Sequence, residues 1–290
     1  MKKYIIPVLA ALLLAGCQKT VKDEGTDIDT GGYTLFNVDI EALDLGIGAP
    51  VQGVWADGAR IGVFGNVAGS NAAFNLKHSD AGLSAASFYG ELVVGNEITA
   101  YAPFEEGLTL DGGAIPCDLA YNQEYDAEAS IEAGFVKYCP RSFAALEDGE
   151  LHFRYPMGLL KVVFTFDEAV TVKSINLTAT KGISGRMGVL PDGKILTSDV
   201  TRKSIALALP AAGVSSKDAQ GGFTPFWFVI PPAAYAAGDL TLEITTTDEA
   251  IRVQLKELEV KRVEGKEFSV AAVEVNSSLP GFETTPGFLE

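Results

Sequence analysis

The chain has 290 residues, 47% of them hydrophobic, and a formal net charge of −16 with a sequence pI near 4.5. This length allows one large domain or two domains of about 130 residues each. A surface this acidic repels phosphate backbones and anionic lipid headgroups, which argues against nucleic acid as a partner.

The N-terminus has the pattern of a lipoprotein signal peptide. Two lysines precede a short apolar run from Tyr4 to Leu14, and the sequence Leu-Ala-Gly leads to Cys17. The run is too short to span a bilayer. A basic start, an apolar core and small residues before a cysteine predict cleavage in front of Cys17 and acylation of its thiol. We therefore predict a signal peptide over residues 1–16 and a lipid anchor on Cys17.

Residues 17–32 are polar and end in two glycines, so we predict a flexible tether after the anchor. Four of these residues are acidic, but no stretch has the spacing of carboxylates that a calcium loop needs. The chain has no C-x-x-C pair and only two histidines. We therefore predict no metal site and no cofactor.

The first half of the mature chain is predicted to consist of strands separated by glycine-rich loops. From Tyr33 to Glu41, apolar and polar residues alternate, as in a strand with one buried face. Trp55–Phe64 holds an Asp-Gly turn that runs into a short strand, and Trp55, beside a loop, is predicted to be exposed. Further strands are predicted over Ser87–Val94, Glu97–Pro103, Gly113–Asp118 and Phe135–Tyr138, with one helical turn over Glu128–Ala133.

The alternation becomes clearer from Leu151 onward. Phe226–Ile230 is apolar on both faces, which predicts a central strand covered on each side. Gly188–Lys194 matches the spacing G-x-x-x-x-G-K, but Ile195 follows where a phosphate loop needs Ser or Thr, so a hairpin turn is predicted there. The other predicted strands are Leu151–Tyr155, Leu159–Phe166, Val170–Thr180, Gly185–Leu190, Lys194–Thr197, Ser204–Leu209, Asp239–Thr247, Ile251–Lys256 and Lys266–Val275.

Short strands at regular spacing, frequent Gly and Asp-Gly turns and almost no helical periodicity predict an all-β fold. We predict two tandem antiparallel β-sandwiches, over residues 33–150 and 151–275, and a C-terminal tail over residues 276–290. A single larger sandwich or barrel is the alternative.

The sequence gives no sign of an active site. The sequence contains neither G-x-S-x-G nor H-E-x-x-H, and His78 and His152 are far apart, so we predict that the protein is not an enzyme.

Cys117 and Cys139 form an even pair in a protein predicted to be exported, which allows a disulfide. Two separate buried thiols are the alternative.

The order of several motifs resembles the fimbrillin family, the Bacteroides-type (type V) pilins and their fimbrillin-like relatives. The matching pieces are the LAGC at Cys17, WADGARIGVF (Trp55–Phe64), ITAYAPF (Ile98–Phe104), LHFRYPMGLLKVVF (Leu151–Phe164), VIPP (Val229–Pro232) and EGKEF (Glu264–Phe268). The resemblance implies a lipoprotein with two transthyretin-like β-sandwiches that is exported to the outer membrane and the cell surface and polymerised into adhesive fimbriae.

The resemblance also implies an assembly mechanism. A trypsin-like protease removes an N-terminal strand, and a strand from the next subunit fills the groove and pairs with its exposed edges. The removable strand would be Tyr33–Glu41, lying along a sheet edge. Its apolar residues are Tyr33, Leu35, Phe36, Val38 and Ile40. Arg60 is the only basic residue between Lys22 and Lys77 and is our hypothetical cleavage point; the alternative is that Arg60 merely flanks a turn.

These expectations combine into a surface subunit of a fimbrium, and the sequence leaves open a stalk, tip, anchor or non-polymerising role. Its partners would be other pilin subunits or further copies of itself, the outer membrane through the lipid on Cys17, and a host protein or glycan ligand. The C-terminal tail, with Pro280 and Pro286, is predicted to be a weak donor strand. The alternative function is a glycan-binding surface lipoprotein that serves a sugar-uptake system, which exposed coplanar aromatic side chains would favour.

Overall fold

The computed structural model describes residues 21–23, 26–28, 33–43, 52–65, 71–91, 97–127, 131–139, 141–198, 201–262, 271–275 and 282–286. The signal peptide and Cys17 lie outside these ranges, as do residues 263–270 and 276–281. Within the described ranges, no helix has the length and apolar character needed to cross a membrane.

Strands hold 55% of the structure and helix 4%, which confirms the all-β prediction. The strands of the first half are β1 (Val21–Asp23), β2 (Thr26–Ile28), β3 (Tyr33–Ile40), β4 (Arg60–Phe64), β5 (Ala72–Leu76), β6 (Ala85–Glu91), β7 (Thr99–Ala102), β8 (Ile115–Leu119), β9 (Asn122–Glu124) and β10 (Ser142–Glu147). Then come β11 (Glu150–Phe153), β12 (Gly158–Phe164), β13 (Thr171–Ala179), β14 (Gly185–Val189), β15 (Ile195–Leu196), β16 (Ser204–Ala208) and β17 (Val214–Ser215). The last strands are β18 (Pro225–Ile230), β19 (Ala233–Tyr235), β20 (Leu240–Thr246), β21 (Glu249–Gln254), β22 (Leu258–Val260), β23 (Ala271–Val275) and β24 (Phe282–Pro286). The helices are a 3-10 turn at His78–Asp80 and α1 (Ile131–Tyr138).

One local prediction was wrong, and the predicted tether, which stays a prediction, includes two paired strands. The predicted tether contains a short antiparallel hairpin, in which β1 pairs with β2 from Val21↔Ile28 to Asp23↔Thr26. Phe135–Tyr138, predicted as a strand, is the end of α1. Phe135 and Tyr138 are three residues apart, so a helix places both on one side, where they are buried. A four-residue apolar run carries too little periodicity to distinguish the two structures.

The first large unit is a sheet that closes into a ring of seven strands, in the order β10-β11-β3-β6-β5-β4-β7. Neighbouring strands in this sheet are antiparallel, except for β3 and β11, which run parallel to each other. We call this unit the closed sheet. Six of its strands lie within residues 33–150, for which a β-sandwich is predicted, and β11 begins at residue 150. Its core contains Phe36, Val38, Trp55, Ile61, Val63, Phe74, Leu76, Phe88, Leu151 and Phe153.

The second large unit is a sandwich. One layer has the order β24-β21-β20-β13-β16-β9, with β17 also paired to β13, and the other has the order β18-β12-β23. Side chains of both layers share one core, which includes Leu160, Val162 and Phe164 of β12 and Ile175 and Leu177 of β13. We call this unit the C-terminal sandwich. The predicted inward alternation of Leu240, Leu242 and Ile244 is confirmed, since all three are buried.

Strand β18 is covered on both faces, as predicted, but it lies at the edge of its sheet and not at the centre. The side chain of Gln123 forms hydrogen bonds with the backbone at this edge. Its Nε2 donates to the carbonyl of Val229 at 2.8 Å, and its Oε1 accepts from the N–H of Val229 at 2.9 Å. Gln123 is 1% exposed, so its amide replaces the neighbouring strand that the buried edge lacks.

A third core joins the two units. It includes Phe64 and Tyr101 from the closed sheet, Phe135 from α1, and Leu159 and Trp227 from the sandwich. Strand β8 pairs with β14, and β9 pairs in parallel with β16. The domain boundary near residue 150 stays a prediction, and strand pairing crosses it.

Candidate functional site in the slot of strand β3

Strand β3, the predicted removable strand, lies between two other strands. On one side it pairs antiparallel with β6, from Tyr33↔Glu91 to Asp39↔Ala85. On the other side it pairs in parallel with β11, from Asn37↔Glu150 to Ile40↔Phe153. The expectation of a sheet edge was therefore wrong. We call the space between β6 and β11 that β3 fills the slot.

The side chains of β3 alternate between the core and the surface. Phe36 and Val38 are 5% and 3% exposed, and the Phe36 ring lies 5.3 Å from that of Phe74. Tyr33 and Leu35, in contrast, are 50% and 40% exposed. Ile40 is half-buried and packs against the same core. The strand therefore contributes one apolar face to the closed sheet and presents the other to solvent.

The chain leaves β3 through Glu41, which contacts the C-terminal half of the molecule. Arg262 Nη1 donates to Glu41 Oε1 at 2.8 Å and to Oε2 at 3.0 Å. The N–H of Tyr155 donates to Glu41 Oε1 at 2.6 Å. The side chains of Glu41 and Arg262 are 15% and 20% exposed. Burial raises the pKa of Glu41, and the nearby Arg262 guanidinium offsets only part of that effect.

The hypothetical cleavage point, Arg60, is the first residue of β4 and not part of a loop. It pairs with Asn75 of β5, and its carbonyl accepts from the N–H of Phe104 at 2.9 Å. Its guanidinium lies 4.8 Å from the centre of the Phe104 ring, on an exposed part of the surface. A protease that binds an extended segment can reach Arg60 only when the start of β4 detaches from these partners.

Trp55, predicted to be exposed, is 5% exposed. Its ring packs edge-on against Phe88 and Phe153, at 4.9 and 5.3 Å between centroids, and its Nε1 donates to the carbonyl of Ser84 at 3.1 Å. A cut after Arg60 would therefore separate from the rest of the chain not only β3 but also Trp55, a central part of the core.

The two cysteines are free thiols in this structure. Both are buried in the third core. Burial raises the pKa of Cys117 to about 12 and raises that of Cys139 well above its ordinary value. The arrangement is that of two buried thiols, and a disulfide between them stays a prediction.

The aromatic residues of β18 and the G-x-x-x-x-G-K segment have structural roles. Phe226 and Phe228 are fully buried and Trp227 is 5% exposed, as core packing requires. Gly188–Lys194 spans the end of β14 and the turn that leads to β15, and the two strands pair antiparallel, so the predicted hairpin is confirmed. In the described part of the chain, no three His, Cys, Asp or Glu side chains lie close enough together to hold a metal ion.

A cleft of about 350 Å³ opens between the closed sheet and the β14–β15 turn. Its wall carries His152 and Arg154 from one side, Asp192 and Lys194 from the other, and Arg262 beside them. Arg154 is already paired with Glu147 at 3.3 Å, and His152 Nδ1 lies 2.8 Å from Asp39. The cleft therefore combines both signs of charge and has no exposed aromatic ring among its described lining.

The predicted C-terminal tail contributes β24, which pairs antiparallel with β21 from Glu249↔Pro286 to Val253↔Phe282. It forms the outer edge of the large layer of the sandwich. Segments near both ends of the described chain thus add strands to the large sheets, β3 inside the closed sheet and β24 at an edge of the sandwich.

No protein-family model and no curated protein matches the chain. Among solved structures, it is similar to a candidate cell adhesion protein of Bacteroides ovatus, with 14% identity, a TM-score of 0.49 and coverage of 88% of this chain and 96% of that one. It is also similar to the tip fimbrial protein Mfa3 of Porphyromonas gingivalis with a C-terminal truncation, with 11% identity, a TM-score of 0.41 and coverage of 88% and 98%. A fimbrial protein of Bacteroides ovatus is matched at 13% identity and a TM-score of 0.34, over 83% of this chain and 50% of that one.

Proposed function

We propose that the protein is a cell-surface lipoprotein, held in the outer membrane by a lipid on Cys17, that serves as a structural and adhesive subunit of a fimbrium and performs no catalysis. The order of motifs from LAGC to EGKEF supports this proposal. The observation that carries it is the position of β3. This strand comes near the N-terminus of the mature chain and fills a slot between two other strands.

A strand near a chain end has a special property. One cut on its C-terminal side separates it from the rest of the protein, and only hydrogen bonds and packing then hold it in place. An internal strand needs two cuts. Strand β3 is followed by a single connection to β4, so one cut in that connection or at its end suffices.

An emptied slot would bind another strand strongly. Its two walls, β6 and β11, would each expose unpaired backbone N–H and C=O groups, and its floor would expose the core that Phe36 and Val38 cover. A strand with alternating apolar residues satisfies both needs at once. The partner in this mechanism is another pilin subunit or a second copy of this chain.

Exchange must also overcome the loss of Trp55. Because Trp55 lies between β3 and Arg60, the departing segment takes its ring out of the core that contains Phe88 and Phe153. The cut segment will therefore remain bound until an incoming strand displaces it. Cleavage and exchange are two steps in this proposal.

The test uses the lipidated protein in outer membranes, treated with an arginine-specific protease. We expect a new N-terminus at Ile61 and a ladder of oligomers that survives mild detergent. The variant Arg60→Gln should give neither, whereas Arg154→Gln, which removes another exposed arginine, should behave as the wild type. A mature N-terminus that stays at Cys17, with the protein remaining monomeric, would overturn cleavage and exchange.

A glycan-binding role is the rival. The large aromatic side chains that are exposed in the described part of the chain are Tyr33, Tyr121 and Phe223, and the Arg202 guanidinium covers the Tyr121 ring at 3.7 Å. Specific binding of oligosaccharides by the uncut monomer, lost in Tyr33→Ala or Phe223→Ala, would favour the rival over the fimbrial role.

A further inference from the structure

Glu41 connects the end of β3 to the C-terminal half of the molecule through its contacts with Arg262 and Tyr155. Glu41 is the residue directly after β3, and its N–H donates to the carbonyl of Phe153 at 3.0 Å, which continues the pairing with β11 by one residue. Its backbone therefore belongs to the slot, although its side chain points to residues outside the closed sheet.

The groups that bind the Glu41 side chain stay behind when β3 leaves. Arg262 follows β22 and Tyr155 follows β11, so both lie far beyond any cut that frees β3. Arg262 Nη1 also donates to the carbonyl of Tyr155 at 3.2 Å, which holds the guanidinium beside the Tyr155 N–H. The two donors thus form a fixed pair at one end of the slot.

Alternating apolar residues alone do not define one alignment. A strand with period-two alternation can slip by two residues and still place apolar side chains on the floor of the slot. If the bound strand slips by two residues, the residue at the Glu41 position moves away from Arg262 and Tyr155. A buried polar contact that only one alignment satisfies is an effective means of fixing register.

We infer that the slot accepts a strand in one register, set by a glutamate at the Glu41 position that binds Arg262 and the Tyr155 N–H. This inference rests on the proposed strand exchange. It describes the occupant chemically, as a strand with apolar residues at the registers of Phe36, Val38 and Ile40 and a carboxylate in the next position. An aspartate there is one methylene shorter and cannot keep both contacts from the same backbone position.

The experiment uses the full mature chain with a site-specific protease sequence inserted between Pro50 and Val51. The cut then frees β3 and Glu41 but leaves Trp55 attached to the rest of the chain. Fluorescent peptides of residues 33–43 are added to the cut protein, and their dissociation is followed by anisotropy after addition of excess unlabelled peptide. We expect the wild-type peptide to bind and the Glu41→Ala peptide to dissociate about tenfold faster, since it loses charge-assisted hydrogen bonds.

A matched control is the Asp39→Ala peptide. It removes the same charge from the same strand, but Asp39 lies on the exposed face beside His152, so its dissociation should change less than about threefold. On protein carrying Arg262→Gln, the difference between the wild-type and Glu41→Ala peptides should shrink. If that variant does not fold, Arg262→Lys provides the same comparison, because lysine keeps the charge and loses the planar fork.

The outcomes separate the two proposals. If the wild-type peptide does not bind the cut protein at all, strand exchange fails and the register inference fails with it. If wild-type and Glu41→Ala peptides bind alike to protein with Arg262, exchange stands and the register inference is wrong. The Glu41→Asp peptide should resemble Glu41→Ala, and binding equal to wild type would also contradict the inference.

Discussion

The closed sheet and the C-terminal sandwich each incorporate a strand from near one end of the described chain, but they do so differently. Strand β3 has a hydrogen-bonded neighbour on both sides, whereas β24 has one on a single side. Departure of β3 would open a ring and expose two edges together with an apolar floor. Departure of β24 would expose the edge of β21. The position of a terminal strand, more than its length, thus determines what its removal does to a sheet.

The largest effect is expected from the core of the closed sheet. Trp55→Ala should lower the free energy of unfolding by about 3–5 kcal/mol, because it leaves a cavity between Phe88 and Phe153. Hydrogen exchange measured peptide by peptide should accelerate in β3–β7 more than in β13 and β20. Val54→Ala, at a neighbouring residue that is 52% exposed, should change stability by less than about 0.5 kcal/mol. Equal acceleration in both units would show that they unfold as one.

The buried edge of the sandwich provides the second test. Gln123→Leu should cost about 2 kcal/mol, because the N–H and carbonyl of Val229 lose their partners in a buried place. Gln254→Leu, at an exposed position of β21, is the matched control and should be close to neutral. Urea denaturation measures both. A neutral Gln123→Leu would mean that the edge of β18 finds another partner.

A smaller effect should appear in the pH dependence of the contact between the two units. The raised pKa of Glu41 means that the folded protein binds this proton more tightly than the unfolded chain does. Its contribution to stability is therefore present at low pH and is lost as the pH rises through the folded pKa. The stability of wild type relative to Glu41→Gln should improve as the pH falls from 7 toward the ordinary range of glutamate, about 4.3. The opposite trend in thermal unfolding would show that Arg262 outweighs burial.

The smallest perturbation probes the third core without any substitution. Because burial raises the pKa of Cys117 to about 12 and that of Cys139 well above its ordinary value, iodoacetamide at pH 8 should label neither thiol in the native protein. Both should react in denaturant. Rapid labelling of the native state would show that the two units separate readily. A failure to label in denaturant until a reductant is added would confirm the predicted disulfide.

The sequence predicts strands well wherever side chains alternate regularly. Phe36, Val38 and Ile40 identify β3, and Leu240, Leu242 and Ile244 identify β20, since burial of one face imposes a period of two. The Asp-Gly turn after Pro191 identifies the β14–β15 hairpin in the same local way. These features depend on residues within a few positions of one another.

The features that the sequence could not predict depend on distant partners. The parallel pairing of Asn37 with Glu150 closes the ring, and no local pattern reports a neighbour more than 100 residues away. Trp55 is buried because the fold packs Phe88 and Phe153 against it. The contacts of Glu41 with Arg262 and of Gln123 with Val229 join residues that are 221 and 106 positions apart. Glu41 and Gln123 are polar residues, and their sequence context alone predicts that they are exposed to solvent.

A closed ring has a further consequence for the behaviour of the intact protein in crowded solution. Exposed strand edges are the usual starting points of intermolecular β-aggregation, and seven strands joined into a circle offer none. In the C-terminal sandwich, β24 and β9 are the edge strands of one layer and β18 and β23 those of the other, and the Gln123 side chain pairs with Val229 on β18. Association of intact molecules through their strands should therefore begin outside the closed sheet, at an edge strand such as β24.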